Sequence, residues 1–508
     1  MTERTMAPVE DRPASEPPTP APLAMDPEDF RRVAHEMADR IADFLGSRGS
    51  RPVTPAERPD AVRALLDAGA TLPEHGTDAD SLLRSTAELL FDHSLLNGHP
   101  RFFGYITSSP TPIGMLGDFL AAAINPNVGA WTIAPMATEI EAQAVRWVAE
   151  LIGYPADADG LFVSGGNMAN FVGFLAARTA AAGGSIRETG RSAAGPLRVY
   201  ASKETHTWIQ KAADLFGLGT DAIRWIDTDS ELRMDVGRLR ETIERDRAAG
   251  DLPMVVVGSA GTVSTGAVDP LGEIAELCRE AGIWFHVDGA YGGFAAAVPG
   301  APEALRALAL ADSVAIDPHK WLYAPLEAGC VLVRRPDALR NAFSYHPPYY
   351  HFGTEAINYF DYGPQNSRGF RALKVWLGLR QAGRDGYVAA IADNIRLSQR
   401  LHAAVSADPD LDPFTQSLSI TTFRYVPPEV RGGVGSTDTE KYLNELNERL
   451  LERIQTSGEA FVSNAVVGGR YALRACIVNI NTRDEDVDAL PEIVVRHGQA
   501  LHAGGGKH

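Results

Sequence analysis

The sequence predicts an α/β protein built around a mainly parallel sheet. Two observations carry that expectation. First, the middle of the chain alternates between short runs rich in β-branched and aromatic residues and helical patterns. The runs are "LRVYAS" (197–202), "MVVVGSA" (254–260), "IWFHVD" (283–288), "SVAID" (313–317) and "CVLVR" (330–334), and "LGEIAELCREAG" (271–282) is one of the helical patterns between them. Apolar strands separated by helices indicate a sheet covered on both faces. Second, unusual polar residues fall at the ends of these runs, and ligands of such sheets sit beyond the strands' C-terminal ends.

The elements follow in order. Residues 1–25 are rich in Pro, Glu and Thr without periodicity and read as a disordered tail. Residues 26–111 read as an N-terminal helical segment. In "DPEDFRRVAHEMADRIADFL" Asp26 can cap a helix, Pro27 suits its first turn, and Phe30, Val33, Met37, Ile41 and Phe44 recur at helical spacing. "DADSLLRSTAELLFDHSLL" predicts a second helix. Residues 112–373 form the expected large α/β domain and 374–508 a small α+β domain. "GFRALKVWLGLRQAG" (369–383) precedes the helix "VAAIADNIRLSQRLHAAV", and "LSITTFRYV" and "YALRACIVNINT" read as strands.

The totals narrow the classes. A chain of 508 residues implies about two or three domains. Lys plus Arg is 47 and Asp plus Glu is 65, a net charge of −18, which argues against nucleic acid as a partner. Cys278, Cys330 and Cys476 show neither CxxC nor metal-site spacing, which fits a reducing cytoplasm without a zinc cluster or disulfide framework. The N-terminus lacks the apolar segment of a signal peptide, and no apolar run reaches the ~18 residues of a membrane span.

Four features of the central region carry chemistry. In "LFVSGGNMANFVGFLAAR" (161–178) a strand runs through Ser164, Gly165, Gly166 and Asn167 into a helix. Glycines there let N–H groups approach an anion, although a plain capped turn has the same pattern. "ASKETHTW" (201–208) ends a strand at His206, which could equally be structural. In "FHVDGAYGGF" (285–294) Asp288 ends an apolar strand, where a carboxylate is costly unless a cation, a helix N-terminus or a protonated ring nitrogen pairs with it. Gly289 and Ala290 leave room for a flat group. In "SVAIDPHKWLYAPLEAGCVLV" Lys320 either snorkels outward or is held inward as a nucleophile toward carbonyls. A phosphate cup, a ring-sized gap, a carboxylate for a ring nitrogen and an inward lysine together are what pyridoxal 5'-phosphate requires.

These motifs resemble those of the group II pyridoxal phosphate-dependent amino-acid decarboxylases, closest in pattern to the aromatic-L-amino-acid decarboxylases. The likeness runs from about residue 26 to about residue 500. "DPHKW", "HVDGAYGG", "HPRFFGYI" (99–106), "AWTIAPMATEIE" (130–141) and "SRGFRALKVW" (367–376) carry it. The resemblance implies fold type I, related to aspartate aminotransferase, and an obligate homodimer with active sites at the interface. It implies that Lys320 is the Schiff-base lysine, Asp288 the partner of the ring nitrogen, and Ala290 and His206 the residues on either ring face. Gly165, Gly166 and Asn167 match the phosphate turn, with Asp317 and His319 nearby, and Asn366-Ser367 matches a stretch that reaches the phosphate from the other subunit. Thr262 matches a family threonine near the ring, although Val263 stands where many relatives carry a second hydroxyl.

The resemblance also implies decarboxylation of an L-amino acid to amine and CO2. "SYHPPYYHFGTEAINYFDYGPQ" (344–365) matches a mobile catalytic loop, in which Tyr349 aligns with the proton-donating tyrosine and Tyr350 is its neighbour. Phenylalanine at that position marks relatives that make aldehydes by oxidative deamination, so tyrosine favours plain decarboxylation. Phe102, Phe103, Tyr105 and Trp131 lie in segments that line the relatives' substrate pocket, and with His206 and Tyr349 they favour an aromatic substrate of the tryptophan, tyrosine, phenylalanine or DOPA type. Each of these aromatics reads equally well as core. Ile106 and Gly129 stand where some aromatic-acid enzymes carry phenylalanine. An aldehyde synthase, or a decarboxylase of glutamate or histidine, is the alternative.

Overall fold

In the computed structural model, residues 23–183, 186–190, 192, 195–335, 337–345 and 356–505 are described. Most of the expected tail, and Tyr349 with Tyr350, lie outside them. The described chain forms two compact units. Residues 23–50 and 57–94 make the first, and residues 51–56 and 95–505 make the second.

The first unit is helical: Pro27–Ser47, Pro59–Leu65 and Ala79–Asp92. Asp26 accepts a hydrogen bond from the Glu28 N–H at 2.8 Å and Pro27 opens the helix, as the sequence predicts. Asp78 caps the third helix through the Ser81 N–H at 3.0 Å. These side chains satisfy N–H groups that the helix itself cannot. Phe44 stacks on Phe91 at 4.3 Å, joining two of the helices.

The second unit holds both sheets. Seven strands form the larger one: β1 (Asp159–Val163), β2 (Leu197–Ser202), β3 (Ile223–Ile226), β4 (Leu252–Ser259), β5 (Trp284–Asp288), β6 (Ser313–Ile316) and β7 (Gly329–Val333). Their order is β1-β7-β6-β5-β4-β2-β3. All neighbours are parallel except at β7, which runs against both β1 and β6. The strands β1, β2, β4, β5 and β6 therefore end on one edge. Nearly every residue of β4 to β7 is buried, as expected for strands covered on both faces.

The smaller sheet is antiparallel, in the order β10-β11-β9-β8, with β8 at Leu411–Ser417, β9 at Ile420–Tyr425, β10 at Ser463–Val467 and β11 at Arg470–Cys476. Its core joins Phe423, Leu450, Leu473 and Val494. The two helical patterns expected around residues 369–405 form one run, Ala372–Ala407, broken at Gly383. Gly383 has φ 65°, a left-handed conformation that glycine adopts without a Cβ penalty.

Candidate active site

The chemistry collects where the parallel strands end. The turn after β6 carries Lys320, whose backbone N–H donates to the Asp317 carbonyl at 2.9 Å. Its Nζ lies 3.1 Å from Asp317 Oδ2, and the side chain is only 18% exposed. The lysine is thus held inward rather than snorkelling. Asp317 is buried, and its Oδ1 has no hydrogen-bond partner among the described residues. His319 Nδ1 lies 2.7 Å from the Ala328 carbonyl. A carbonyl only accepts, so Nδ1 carries the proton. Burial lowers the pKa of His319, against the pull of Asp317.

The turn after β1 makes a cup. Gly165 has φ +119°, and the helix Gly166–Ala182 starts on it without a side-chain cap. The first N–H groups of that helix lack intrahelical partners and suit an anion. Side chains would close the cup. A Cβ on Gly166 would stand 2.7 Å from Asp317 Oδ2 and 3.2 Å from the Ala290 Cβ, and one on Gly329 would meet the Gly165 backbone at 2.5 Å.

Asp288 ends β5 on the same edge. Its Oδ2 accepts from Trp208 Nε1 at 2.8 Å and its Oδ1 from the Ala290 N–H at 3.2 Å. His206, past the end of β2, is exposed where it lines the cavity. Desolvation lowers its pKa, opposed by Asp288 and reinforced by Lys320. Its Nδ1 accepts from the Trp208 backbone N–H at 3.3 Å, so the neutral ring carries its proton on Nε2. Thr262 is buried, with Oγ1 3.2 Å from Thr265 Oγ1 and accepting from the Ala267 N–H at 3.2 Å.

All these groups face one cavity of about 670 Å³, lined by Ser164 to Asn167, His206, Thr262, Val263, Asp288, Ala290, Asp317, His319 and Lys320. Asn170, Glu204, Ser259, Gly261, Tyr291, Leu326 and Glu327 complete its wall. The donor set fits pyridoxal phosphate. A glycine cup open to an anion, a carboxylate with both oxygens oriented, an inward amine and a buried carboxylate oxygen lacking a partner converge on a single space.

Other residues singled out in the sequence lie elsewhere. Phe103 is buried in the core of the small sheet and its N–H bonds the Phe461 carbonyl at 2.7 Å, so in this chain it is a packing residue and not part of the cavity wall. Phe102 stacks on Phe461 at 5.5 Å. Tyr105 is exposed with φ 50°, and Trp131 is exposed with its Nε1 donating to Glu139 at 2.9 Å. Ser367 is exposed and does not line this cavity. Reading the sequence missed Trp208, which directly follows the His206-Thr207 pair, and Asn170, one turn along the helix that starts at the cup.

Residues 59–425 match the family described as "Pyridoxal-dependent decarboxylase conserved domain". An aromatic-L-amino-acid decarboxylase of Bacillus atrophaeus is 33% identical over 470 residues, covering 92% of this chain and 94% of the relative. A tyrosine decarboxylase of Oryza sativa subsp. japonica is 32% identical over 495 residues, with 94% and 92% coverage. The crystal structure of Oryza sativa TDC with PLP and tryptamine superposes with a TM-score of 0.87 at 28% identity, covering 95% of this chain and 100% of that one.

Proposed function

Because the chain belongs to the pyridoxal-dependent decarboxylase family, we propose that it removes the α-carboxyl group of an aromatic L-amino acid, releasing the amine and CO2. The protein is a fold type I, pyridoxal phosphate-dependent carboxy-lyase. The observation that carries the proposal is the convergence of Lys320, Asp288, His206 and the glycine cup on one cavity.

Lys320 would hold the cofactor by its aldehyde, Asp288 would pair with its ring nitrogen, and Gly165 to Asn167 would take its phosphate, with Asp317 and His319 beside them. Ala290 and His206 would flank the ring, with Thr262 near it. When bound, the cofactor supplies an electron-accepting ring that takes the electron pair left by departing CO2. The chain orients the substrate and aims the Asp288 carboxylate through two fixed donors. A neutral His206, its proton on Nε2, presents a flat uncharged face. Tyr349 then returns a proton to the α-carbon.

The aromatic class draws support from the two relatives named above. It also draws support from Glu204, an acidic residue of the cavity wall that disfavours a substrate with a second carboxylate, such as glutamate. We further read the protein as a homodimer. Leu82, Leu90, Leu116, Ile124 and Met136 are exposed apolar residues of the kind that interfaces cover. Ser367, Tyr105 and Trp131, exposed here, would then serve the partner's cavity. Three free, buried thiols fit a cytoplasmic protein, and no described helix is long and apolar enough to cross a membrane.

The test is CO2 release by the purified holoenzyme across the amino acids. Tryptophan, tyrosine, phenylalanine or DOPA should give amine and CO2, and Lys320→Ala should give neither. Turnover of glutamate or histidine alone would overturn the aromatic assignment. Aldehyde and ammonia with oxygen uptake would overturn simple decarboxylation.

A further inference from the structure

Trp208 is fully buried at the start of the helix Trp208–Leu215. A buried indole N–H needs an acceptor, and this one donates to Asp288 Oδ2 at 2.8 Å. With the Ala290 N–H on Oδ1, two fixed donors set the plane of the carboxylate. The backbone N–H of the same tryptophan donates to His206 Nδ1.

The indole is locked in turn. Phe174 meets it edge-on at 6.3 Å and His286 at 5.7 Å. His286 is buried between Ser313 Oγ and Asn170 Oδ1, each 2.7 Å away. The Asn170 amide oxygen only accepts, so His286 donates to it from Nε2. Burial lowers the His286 pKa to about 4, so the ring is neutral and its Nδ1 accepts from the Ser313 hydroxyl, which itself accepts from Trp284 Nε1 at 2.8 Å. A Cβ on Gly173 would stand 2.7 Å from the imidazole, which leaves the ring no slack. Indole and imidazole thus put no cation behind Asp288.

We propose that Trp208 is a positioning residue for the reaction: its indole N–H orients the Asp288 carboxylate, and its backbone N–H orients the His206 ring. One residue thereby sets two of the groups assigned to the cofactor ring. The inference rests on Asp288 being the partner of the cofactor's ring nitrogen.

The experiment replaces Trp208 with 3-benzothienylalanine, which keeps the shape and the backbone N–H but loses the indole donor. Trp208→Phe is a second variant and Asp288→Asn a control. Two quantities are measured: the dissociation constant of pyridoxal phosphate from titration of the apoprotein, and the pH midpoint of the bound cofactor's visible absorption. A hydrogen bond to a charged group implies binding ~10- to 100-fold weaker in both Trp208 variants, and a shifted midpoint that loss of packing alone would not produce. Wild-type affinity and midpoint in the benzothienyl protein, with weak binding in Asp288→Asn, overturn the role of Trp208 alone. Wild-type binding in Asp288→Asn overturns the reading of Asp288 and this inference with it.

Discussion

Glu141 and Arg368 form an ion pair closed to solvent, with side-chain exposures of 0% and 1%. The Arg368 guanidinium also donates to the Val128 carbonyl at 2.8 Å and the Phe162 carbonyl at 2.7 Å, and its Cζ lies 4.6 Å from the Tyr359 ring centre. Glu141 accepts the Phe162 N–H at 2.9 Å. One pair therefore ties edge strand β1, which leads into the glycine cup, to the segment that bears Ser367.

Glu141→Gln leaves the Arg368 charge buried without its counter-ion. Breaking one side of a buried pair costs about 3–5 kcal/mol. Chemical denaturation should show a loss of that order, and Arg238→Ala, whose pair with Glu241 is solvent-exposed, should not.

Gly166→Ala puts a methyl group where Asp317 Oδ2 and the Ala290 Cβ already stand. The cup must open or lose its shape. Titration of the apoprotein should show pyridoxal phosphate bound at least about tenfold more weakly, on the scale of one lost charge-assisted hydrogen bond, while far-ultraviolet circular dichroism stays that of the wild type.

Acid stability should turn on His286 and Asp269. Burial holds the pKa of His286 at about 4, below the 6.5 of an unfolded histidine. The unfolded chain binds the extra proton, so this contribution is full above pH 6.5 and is lost as pH falls toward 4. It amounts to roughly 3 kcal/mol. His99, His206 and His319 are shifted in the same direction. Asp269, pushed up to about 6 by burial, works the other way: it favours the folded chain increasingly as pH falls from 6 toward 3.8. Unfolding midpoints measured from pH 7 to pH 4 should fall less in His286→Gln and more in Asp269→Asn than in the wild type.

Tyr349→Phe should move the product from amine toward aldehyde, read by an oxygen electrode together with ammonia assay. An unchanged product ratio would leave Tyr349 a packing residue of its loop.

Much of the site was legible because strands buried on both faces leave long β-branched runs, and the polar residues ending those runs stand out. Lys320, Asp288, His206 and Gly165 all surfaced that way. Strands buried only in part did not. β3, β8 and β10 mix buried with half-buried or exposed residues, and β8 contains Pro413, so none of them is an unbroken apolar run. The direction of β7 was invisible because pairing with β6 and distant β1, not its own residues, sets it. Phe103 shows the limit for aromatics, since the same residue type fills cores and lines pockets. Trp208 escaped because its partner lies 80 residues away.

The reversal at β7 has a mechanical consequence. β6 and β7 pair directly, Ile316 opposite Cys330, so the connection bearing Lys320 is stitched to the sheet at its entrance and its exit. The His319 N–H, bonded to the Ala328 carbonyl at 3.2 Å, fastens it once more inside. Such a strap cannot swing as a hinged flap does. Whatever excursion the Lys320 amine makes must come from rotation about its own methylene tether, with the main chain as a stationary mount.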